Sequence, residues 1–218
     1  RHAHTFKTQL TGYLFISPWL IGFILFSLGP MVFSLFMSFT RWSLLSPPQW
    51  VGWENYHEAL FQDPLVYKSL WNTAYYTVFS VPLGVLLSLV LALLLNQNLK
   101  GQKFFRTIFF LPSVTNMVAV SILWMWIFNP EFGLLNRALS LVGVAGPLWL
   151  QSETWAKPAL ILMSLWGIGG GMIITLAALQ GIAPELYEAA ELDGARAGRR
   201  FCHITLPMIS PALFFNLI

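Results

Sequence analysis

The sequence has 218 residues, of which 56% are hydrophobic and only 10% are charged. Charged residues make up about a quarter of a typical soluble domain, so this composition excludes that class and indicates a membrane protein. The formal net charge is +3, a modest excess that membrane topology explains and that does not indicate a nucleic-acid partner.

Four stretches of the sequence carry no charge, and each is longer than the roughly 20 apolar residues that a spanning helix needs. They are bounded by Lys7 and Arg41, Lys68 and Lys100, Arg106 and Glu131, and Lys157 and Glu185. We therefore predict an all-α fold, a polytopic transmembrane helix bundle in the lipid bilayer. Its four complete spans lie at about 13–39, 70–95, 107–128 and 158–182, and residues 208–218 begin a fifth.

The distribution of Lys and Arg predicts the orientation of the spans, because cytoplasmic loops carry the excess of positive charge. Eight basic residues fall in the amino terminus, the 97–106 connection and residues 184–207, against four on the other side: Arg41, Lys68, Arg137 and Lys157. We expect the amino terminus to be cytoplasmic.

The first span contains Pro18 and Pro30, and each predicts a bend because proline removes a backbone hydrogen bond. Its apolar stretch is too long for a cleaved signal peptide, so we expect it to remain as a helix. The following connection, residues 43–69, is too polar to span the membrane. The spacing of Trp53, Tyr56 and Leu60 predicts an amphipathic helix on the membrane surface.

Proline and glycine interrupt the later spans. Pro112 predicts a kink in the third. In the fourth, Gly167 and Gly171 form a GxxxG pair that permits close helix packing. Alternatively, the glycines clear space for a ligand beside the flat ring of Trp166. No Lys-Ser or Lys-Thr follows these glycines, so they do not form a phosphate-binding P-loop, and any ATPase would be another polypeptide.

Residues 184–207, PELYEAAELDGARAGRRFCHITLP, form a charged island between two apolar segments. Pro184 suits the first position of a helix, where its missing N–H needs no partner. Gly194 predicts the turn that ends this helix, and a second short helix can run from Ala195 towards His203. The two helices would form a knob for a groove on another protein; a solvated helix-turn-helix connection is the alternative.

Within this island, the segment Glu188-Ala189-Ala190 is followed by Gly194 and then by Ile204, Leu206 and Pro207. This spacing resembles the cytoplasmic coupling loop by which the permease subunits of bacterial ABC importers dock onto their ATPase. Two further blocks, residues 51–64 with Asn72-Thr73 and residues 105–136, are similar to carbohydrate permeases of the maltose and glycerol-phosphate type.

The resemblance implies a single transmembrane permease domain over residues 1–218, in the bacterial cytoplasmic (inner) membrane. The chain would form part of the translocation path for a sugar or polyol delivered by an extracytoplasmic solute-binding protein. Its other partners would be a second permease subunit and an ATPase dimer, which would bind ATP and Mg²⁺. We therefore expect no cofactor, no metal and no enzymatic activity in this chain. Family members usually carry two further spans, so we expect the rest of the fifth span beyond Ile218.

Polar or aromatic groups within the third and fourth spans are the candidates for substrate contact: Asn116, Ser121, Trp166, Met172 and Thr175. Such groups also bond neighbouring helices, which is the alternative for each. The predicted spans lack the ionisable groups that ion-coupled transporters use, which favours a neutral substrate and an external energy source. A permease for a non-sugar solute, a secondary transporter and a structural membrane subunit stay open as alternatives. An intramembrane enzyme is disfavoured because all four histidines lie outside the spans.

Overall fold

The structure, a computed structural model, describes the backbone of residues 2–97 and 100–218 and the side chains of residues 11–97 and 100–218. The predicted turn at residues 96–101 therefore includes Asn98 and Leu99, which lie outside the described residues, as do Arg1 and the side chains of His2, His4 and Lys7. The described part is helical apart from one pair of short strands, which confirms the predicted fold class. The chain divides into two compact units, Arg1–Leu70 and Trp71–Ile218.

The first unit consists of one long helical segment, a small hairpin and a short helix. Its elements are α1 (His2–Phe23), a π-helical turn (Ile24–Leu28), α2 (Gly29–Met37), β1 (Thr40–Arg41), β2 (Gln49–Trp50) and α3 (Glu54–Phe61). The two strands are antiparallel, with Thr40 opposite Trp50 and Arg41 opposite Gln49.

The π-helical turn in the first unit lies immediately before Pro30, where the sequence predicted a bend. The Gly29 N–H donates to the carbonyl of Ile24, five residues back, instead of four. Pro30 has no N–H, and its ring would clash with the carbonyl four residues before it in a regular helix. The wider turn accommodates the proline without breaking the helix.

The second unit contains the remaining helices. They are α4 (Pro64–Leu95), which starts before the unit boundary, α5 (Gln102–Phe110), α6 (Met117–Ile127), α7 (Leu134–Leu141), α8 (Ala156–Ser164), α9 (Gly169–Gln180), α10 (Pro184–Leu192), α11 (Ala197–Arg200) and α12 (Leu206–Leu217). Tight 3₁₀ turns at Leu111–Val114 and Leu165–Gly167 and a π-helical turn at Phe201–Thr205 separate some of them.

Two described helices, Thr11–Met37 and Pro64–Leu95, are long and apolar enough to cross a membrane. Two bent pairs bring this number to four if each pair is one span: Gln102–Val114 with Met117–Ile127, bent by 99°, and Ala156–Gly167 with Gly169–Gln180, bent by 48°. The first bend lies at Thr115 and Asn116, three residues after Pro112, where the sequence predicted a kink; Pro112 itself is in the 3₁₀ turn that ends the first segment. The second lies in the glycine-rich stretch of the predicted fourth span, residues 158–182.

Two boundaries differ from the sequence-based expectation. Helix α4 begins at Pro64 instead of residue 70, because Asp63 accepts a hydrogen bond from the Leu65 N–H at 2.8 Å and so caps the helix start. The second helix of the 184–207 loop does not stop near His203. It begins at Ala197 and runs through the π-helical turn into α12 without a break, since every junction keeps right-handed helical backbone angles.

The main core of the second unit lies where α4, α9 and α12 meet. Its buried residues are Leu89, Ala92, Leu95, Met172, Leu176, Leu179, Ile182 and Ile209. They recur at three- and four-residue intervals along α4 and α9, the spacing that places side chains on one helix face. A smaller core forms around Trp124, Phe128 and Ala159. The loop and the cavity described below are both built on the main core.

The connection between α6 and α8 is held by Asn136. Its amide nitrogen donates to the carbonyls of Pro130 and Pro147 at 3.1 and 3.3 Å, and its amide oxygen accepts from the Trp149 indole at 2.6 Å. A half-buried amide with all these partners ties distant parts of a loop together. This connection is therefore an ordered surface.

Candidate functional site

Helix α10 has the two boundaries that the loop sequence predicted. It begins at Pro184 after extended Ala183 and ends at Gly194, whose φ of +75° lies in the left-handed region. The Ala195 N–H donates to the Ala190 carbonyl at 2.8 Å, and the Gly194 N–H donates to the Glu191 carbonyl at 3.0 Å. These two bonds form a Schellman motif, which stops the helix with its last carbonyls satisfied.

One face of α10 is attached to the helix that follows the turn. The Tyr187 hydroxyl lies 2.9 Å from the hydroxyl of Thr205, which is buried. Glu191 forms an ion pair with Arg200. Tyr187 also packs against the main core, together with Ile204. The loop is therefore connected directly to the membrane helices.

The opposite face of α10 has no cover among the described residues. Glu185, Glu188, Ala189 and Leu192 are all exposed, Leu192 by 90%. Because the helix repeats every 3.6 residues, these four side chains share one face, opposite Tyr187. An exposed apolar residue beside two acids, on a rigid helix, is a surface that a partner protein can recognise.

The predicted motif residues have three different structural positions. Glu188 and Ala189 face outward, whereas Ala190 and Gly194 form the turn. Ile204 packs inward. Leu206 and Pro207 follow the π-helical turn, where the Leu206 N–H donates to the Phe201 carbonyl, five residues back. As at Pro30, the wider turn accommodates a proline.

A polar cavity of about 320 Å³ lies beside the break between α8 and α9. Its lining includes Ser80, Gly84 and Ser88 of α4, Gly167 at the break and Asn216 of α12. This volume falls within the range of roughly 300–1,000 Å³ usual for small-molecule sites. Sequence reasoning missed Ser80, Ser88 and Asn216. The sequence signal for the two serines was the spacing of Ser80, Gly84 and Ser88, four residues apart in the otherwise apolar second half of α4.

The glycines around this break have different surroundings. A methyl group on Gly169 would overlap the backbone of Phe109 and Phe110, so this glycine permits close contact between α9 and α5. Gly171 lies against Ser88 and the cavity, with a methyl group there meeting Ser88 Oγ at 3.0 Å. A methyl group on Gly167 would meet no described atom within 4 Å.

Two of the five residues proposed for substrate contact lie in the main core. Met172 and Thr175 are both fully buried. The Thr175 hydroxyl donates to the Gly171 carbonyl at 2.9 Å and accepts from the Asn216 amide at 3.0 Å. Asn216 also donates to the Gly171 carbonyl at 3.1 Å. This position favours the alternative role for both residues, that of holding α9 against α12.

The other three residues lie either near the sharp bend that precedes α6 or in the first turns of α6. Asn116 caps α6 by accepting from the Val118 N–H at 2.9 Å, and the Ser121 hydroxyl donates to the Met117 carbonyl at 2.9 Å. Trp166 is 49% exposed and lines a second, mostly apolar cavity of about 390 Å³ at this bend. Its ring meets Trp124 edge to face at 5.9 Å. The five predicted residues therefore do not converge on one site.

Residues 84–218 match the family described as the binding-protein-dependent transport system inner membrane component. The chain is 43% identical over 214 residues to the probable ABC transporter permease protein YesP of Bacillus subtilis (strain 168), covering 97% of this chain and 69% of YesP. The chain belongs to this family of transport permeases. The family membership predicted from the loop spacing is confirmed.

Other relatives agree with this assignment. The permease is 35% identical over 213 residues to the sulfoquinovosyl glycerol transport system permease protein SmoG of Agrobacterium fabrum (strain C58 / ATCC 33970), covering 96% of this chain and 69% of SmoG. A crystal structure of a bacterial alginate ABC transporter, in complex with an alginate pentasaccharide-bound periplasmic protein, matches with a TM-score of 0.80 and 30% identity. That match covers 96% of this permease and 70% of the solved chain. The permease is thus a transport component of the inner membrane and not an enzyme.

Proposed function

We propose that this permease is one of two membrane subunits of an ATP-driven importer for a sugar or polyol. Both SmoG and the alginate transporter are named for carbohydrate substrates, and the latter was solved with a periplasmic protein that carries the saccharide. By analogy, an extracytoplasmic binding protein delivers the solute to this chain and its partner permease. Residues 1–218 act as one permease domain with a cytoplasmic amino terminus.

The outward face of α10 is the proposed docking element for the ATPase dimer, which binds ATP and Mg²⁺. The supporting observation is that this exposed face and the inward Tyr187 and Glu191 contacts lie on opposite sides of the same short helix. A displacement of the bound ATPase would therefore move α12 and the main core. Such transmission requires a rigid element between the two sites.

Co-purification of the ATPase with the intact permease tests this assignment. Glu188→Lys reverses the exposed charge, and Gly194→Pro is incompatible with the left-handed backbone at that position. We expect the amount of ATPase that co-purifies with each variant to fall about tenfold relative to wild type. This decrease corresponds to a loss of about 1.4 kcal/mol of binding free energy.

Glu58→Lys is the matched control, because Glu58 is an exposed acid on a different helix, α3. We expect this variant to retain the ATPase at the wild-type level. Normal membrane insertion of all three variants is a requirement of the comparison. Equal ATPase recovery with every variant would contradict the docking assignment.

For the substrate path, we propose Asn116, Ser121 and Trp166 as contacts near the bend before α6. Thr175 contributes indirectly by holding Asn216 at the polar cavity, and Met172 contributes through its packing in the main core. An exposed tryptophan offers a flat apolar face to a sugar ring, and hydroxyl and amide groups offer hydrogen bonds. Trp166→Ala should raise the half-saturating sugar concentration for uptake, whereas Trp126→Ala, also exposed, should leave it unchanged. The reverse pattern would exclude the assignment of Trp166.

A further inference from the structure

Residues 38–63, which we call the interfacial cap, are tied to the end of the first long helix. The Asn55 amide donates to the carbonyls of Ser38 and Thr40 at 2.8 and 2.9 Å, and the Ser38 and Tyr56 hydroxyls lie 2.6 Å apart. These bonds place α3 directly beside the end of α2. The cap therefore has a defined position relative to the span.

A cluster of aromatic rings fills the space between α3 and the span. Phe39 lies at its centre, with ring centroids at 5.6 Å from Trp50, 5.2 Å from Trp53 and 5.4 Å from Tyr56. Phe36, in the last turns of α2, also meets Trp50 at 5.8 Å. Because Phe36 and Trp50 are both exposed, their contact extends the apolar surface of the span onto the cap.

Helix α3 has three distinct faces. Asn55 and Tyr56 face the span. Glu58 and Gln62 lie on an exposed polar face. The third face is exposed and carries Trp53, Leu60 and Phe61, accessible by 70%, 45% and 74%. A turn of 100° per residue places these three side chains within an arc of about 100° around the axis. The exposed imidazole of His57 lies between Trp53 and Phe61 on this face, with its ring 5.1 Å from that of Phe61.

The span fixes the depth at which the cap lies. The helix from Thr11 to Met37 has 27 residues, or about 40 Å at 1.5 Å per residue, which exceeds the roughly 30 Å of hydrocarbon in a bilayer. Its end at Met37 therefore reaches the headgroup region. Tryptophan and tyrosine favour this region because their rings are apolar at one end and polar at the other.

From this geometry we propose that the interfacial cap is a membrane-surface anchor. The face of Trp53, Leu60 and Phe61 lies against lipid at the boundary of headgroups and acyl chains, and the Glu58 face lies in water. The continuity of this face with the exposed surface of the span identifies lipid as its occupant. The proposal rests on the chain being a membrane permease, but not on its substrate or its ATPase contact.

Spin labels on opposite faces of α3 test the proposal. The complete transporter, with Cys202→Ser to remove the sequence's one cysteine, is reconstituted into liposomes with a nitroxide at either Phe61→Cys or Glu58→Cys. Relaxation by oxygen, which partitions into lipid, is compared with relaxation by a water-soluble nickel chelate. We expect the oxygen-to-nickel ratio to be several-fold larger at position 61 than at position 58.

Three results would overturn the proposal. Equally water-accessible labels would place the cap outside the bilayer, and equally lipid-accessible labels would embed α3 completely. A label at position 61 that becomes immobilised only when the solute-binding protein is added would make this face a protein-docking surface. Sugar uptake and ATPase recovery, measured on the same liposomes, report separately on the proposed transport function.

Discussion

At the scale of single residues, neighbouring glycines of this permease differ in how closely other backbone atoms approach them. Gly169 brings the backbone of α9 against Phe109 and Phe110, whereas a methyl group on Gly170 would meet no described atom within 4 Å. Both positions are helical, so replacing either by alanine changes intrinsic helix propensity equally. The difference in stability between the two alanine variants therefore measures the contribution of the close contact alone.

Gly169→Ala should destabilise the permease by about 1–3 kcal/mol, the usual range for inserting atoms into a packed interior. Gly170→Ala should be neutral or slightly stabilising. Thermal unfolding in detergent, followed by tryptophan fluorescence, measures both variants against wild type. If the two variants had the same midpoint, the contact between α9 and α5 would not be as close as the structure shows.

Gly194 is a second residue-scale constraint because its φ of +75° is unfavourable for residues with a side chain. Gly194→Ala should cost about 1–2 kcal/mol at the end of α10. Gly198→Ala is the control, since Gly198 is helical and a methyl group there would meet no described atom within 4 Å. Faster amide hydrogen exchange at residues 190–195 is expected in the first variant only; unchanged exchange would contradict the left-handed turn.

At the scale of elements, the attachment of α10 to the membrane helices depends on few contacts. The hydrogen bond between Tyr187 and Thr205 is the most protected of them, because Thr205 is only 6% exposed. The Glu191–Arg200 pair is on the surface, where ion pairs contribute little. We therefore expect the hydroxyl pair to decide how firmly the loop is held.

A double-mutant cycle with Tyr187→Phe and Thr205→Val tests this expectation. The coupling free energy should be about 0.5–1.5 kcal/mol, the usual net contribution of one hydrogen bond. Tyr187→Phe should also lower the amount of sugar taken up per ATP hydrolysed. It should leave the recovery of the ATPase nearly unchanged, because the outward face of α10 is unchanged. Additive effects of the two substitutions on stability, or an equal loss of sugar uptake and of ATPase recovery, would show that this bond does not transmit the motion.

At the scale of the whole molecule, two cavities border the glycine-rich break, one at Gly167 and one at Trp166. Filling one of them tests its place in the translocation path. Gly84 lines the polar cavity and has room for a larger side chain. Gly84→Val should abolish uptake while the ATPase is retained, whereas Gly170→Val should not. Normal uptake by Gly84→Val would remove the polar cavity from the translocation path.

The orientation of the chain can be measured with its own thiol. Cys202 is the one cysteine of the sequence and is exposed beside α10. A membrane-impermeant maleimide should label it in inverted inner-membrane vesicles and leave it unlabelled in intact spheroplasts. Labelling in spheroplasts alone would reverse the proposed orientation and remove the docking loop from the cytoplasm.

Features that depend on local chemistry could be predicted from the amino-acid sequence. Charge-free stretches predicted the apolar segments, Pro112 predicted the kink, and Pro184 and Gly194 predicted both ends of α10, because proline and glycine restrict their own backbone. The spacing from Glu188 to Pro207 was enough to identify the family. Each of these signals lies within a few residues of the feature that it specifies.

Contacts between side chains of different helices became apparent only from the tertiary structure. Met172 and Thr175 looked like path residues, but packing of α9 against α4 and α12 buries them. Ser80, Ser88 and Asn216 looked ordinary until two helices that are far apart in sequence, α4 and α12, brought them to one cavity. Periodicity shows that a residue lies on a face of its helix. What covers that face depends on long-range contacts, which a single sequence does not record.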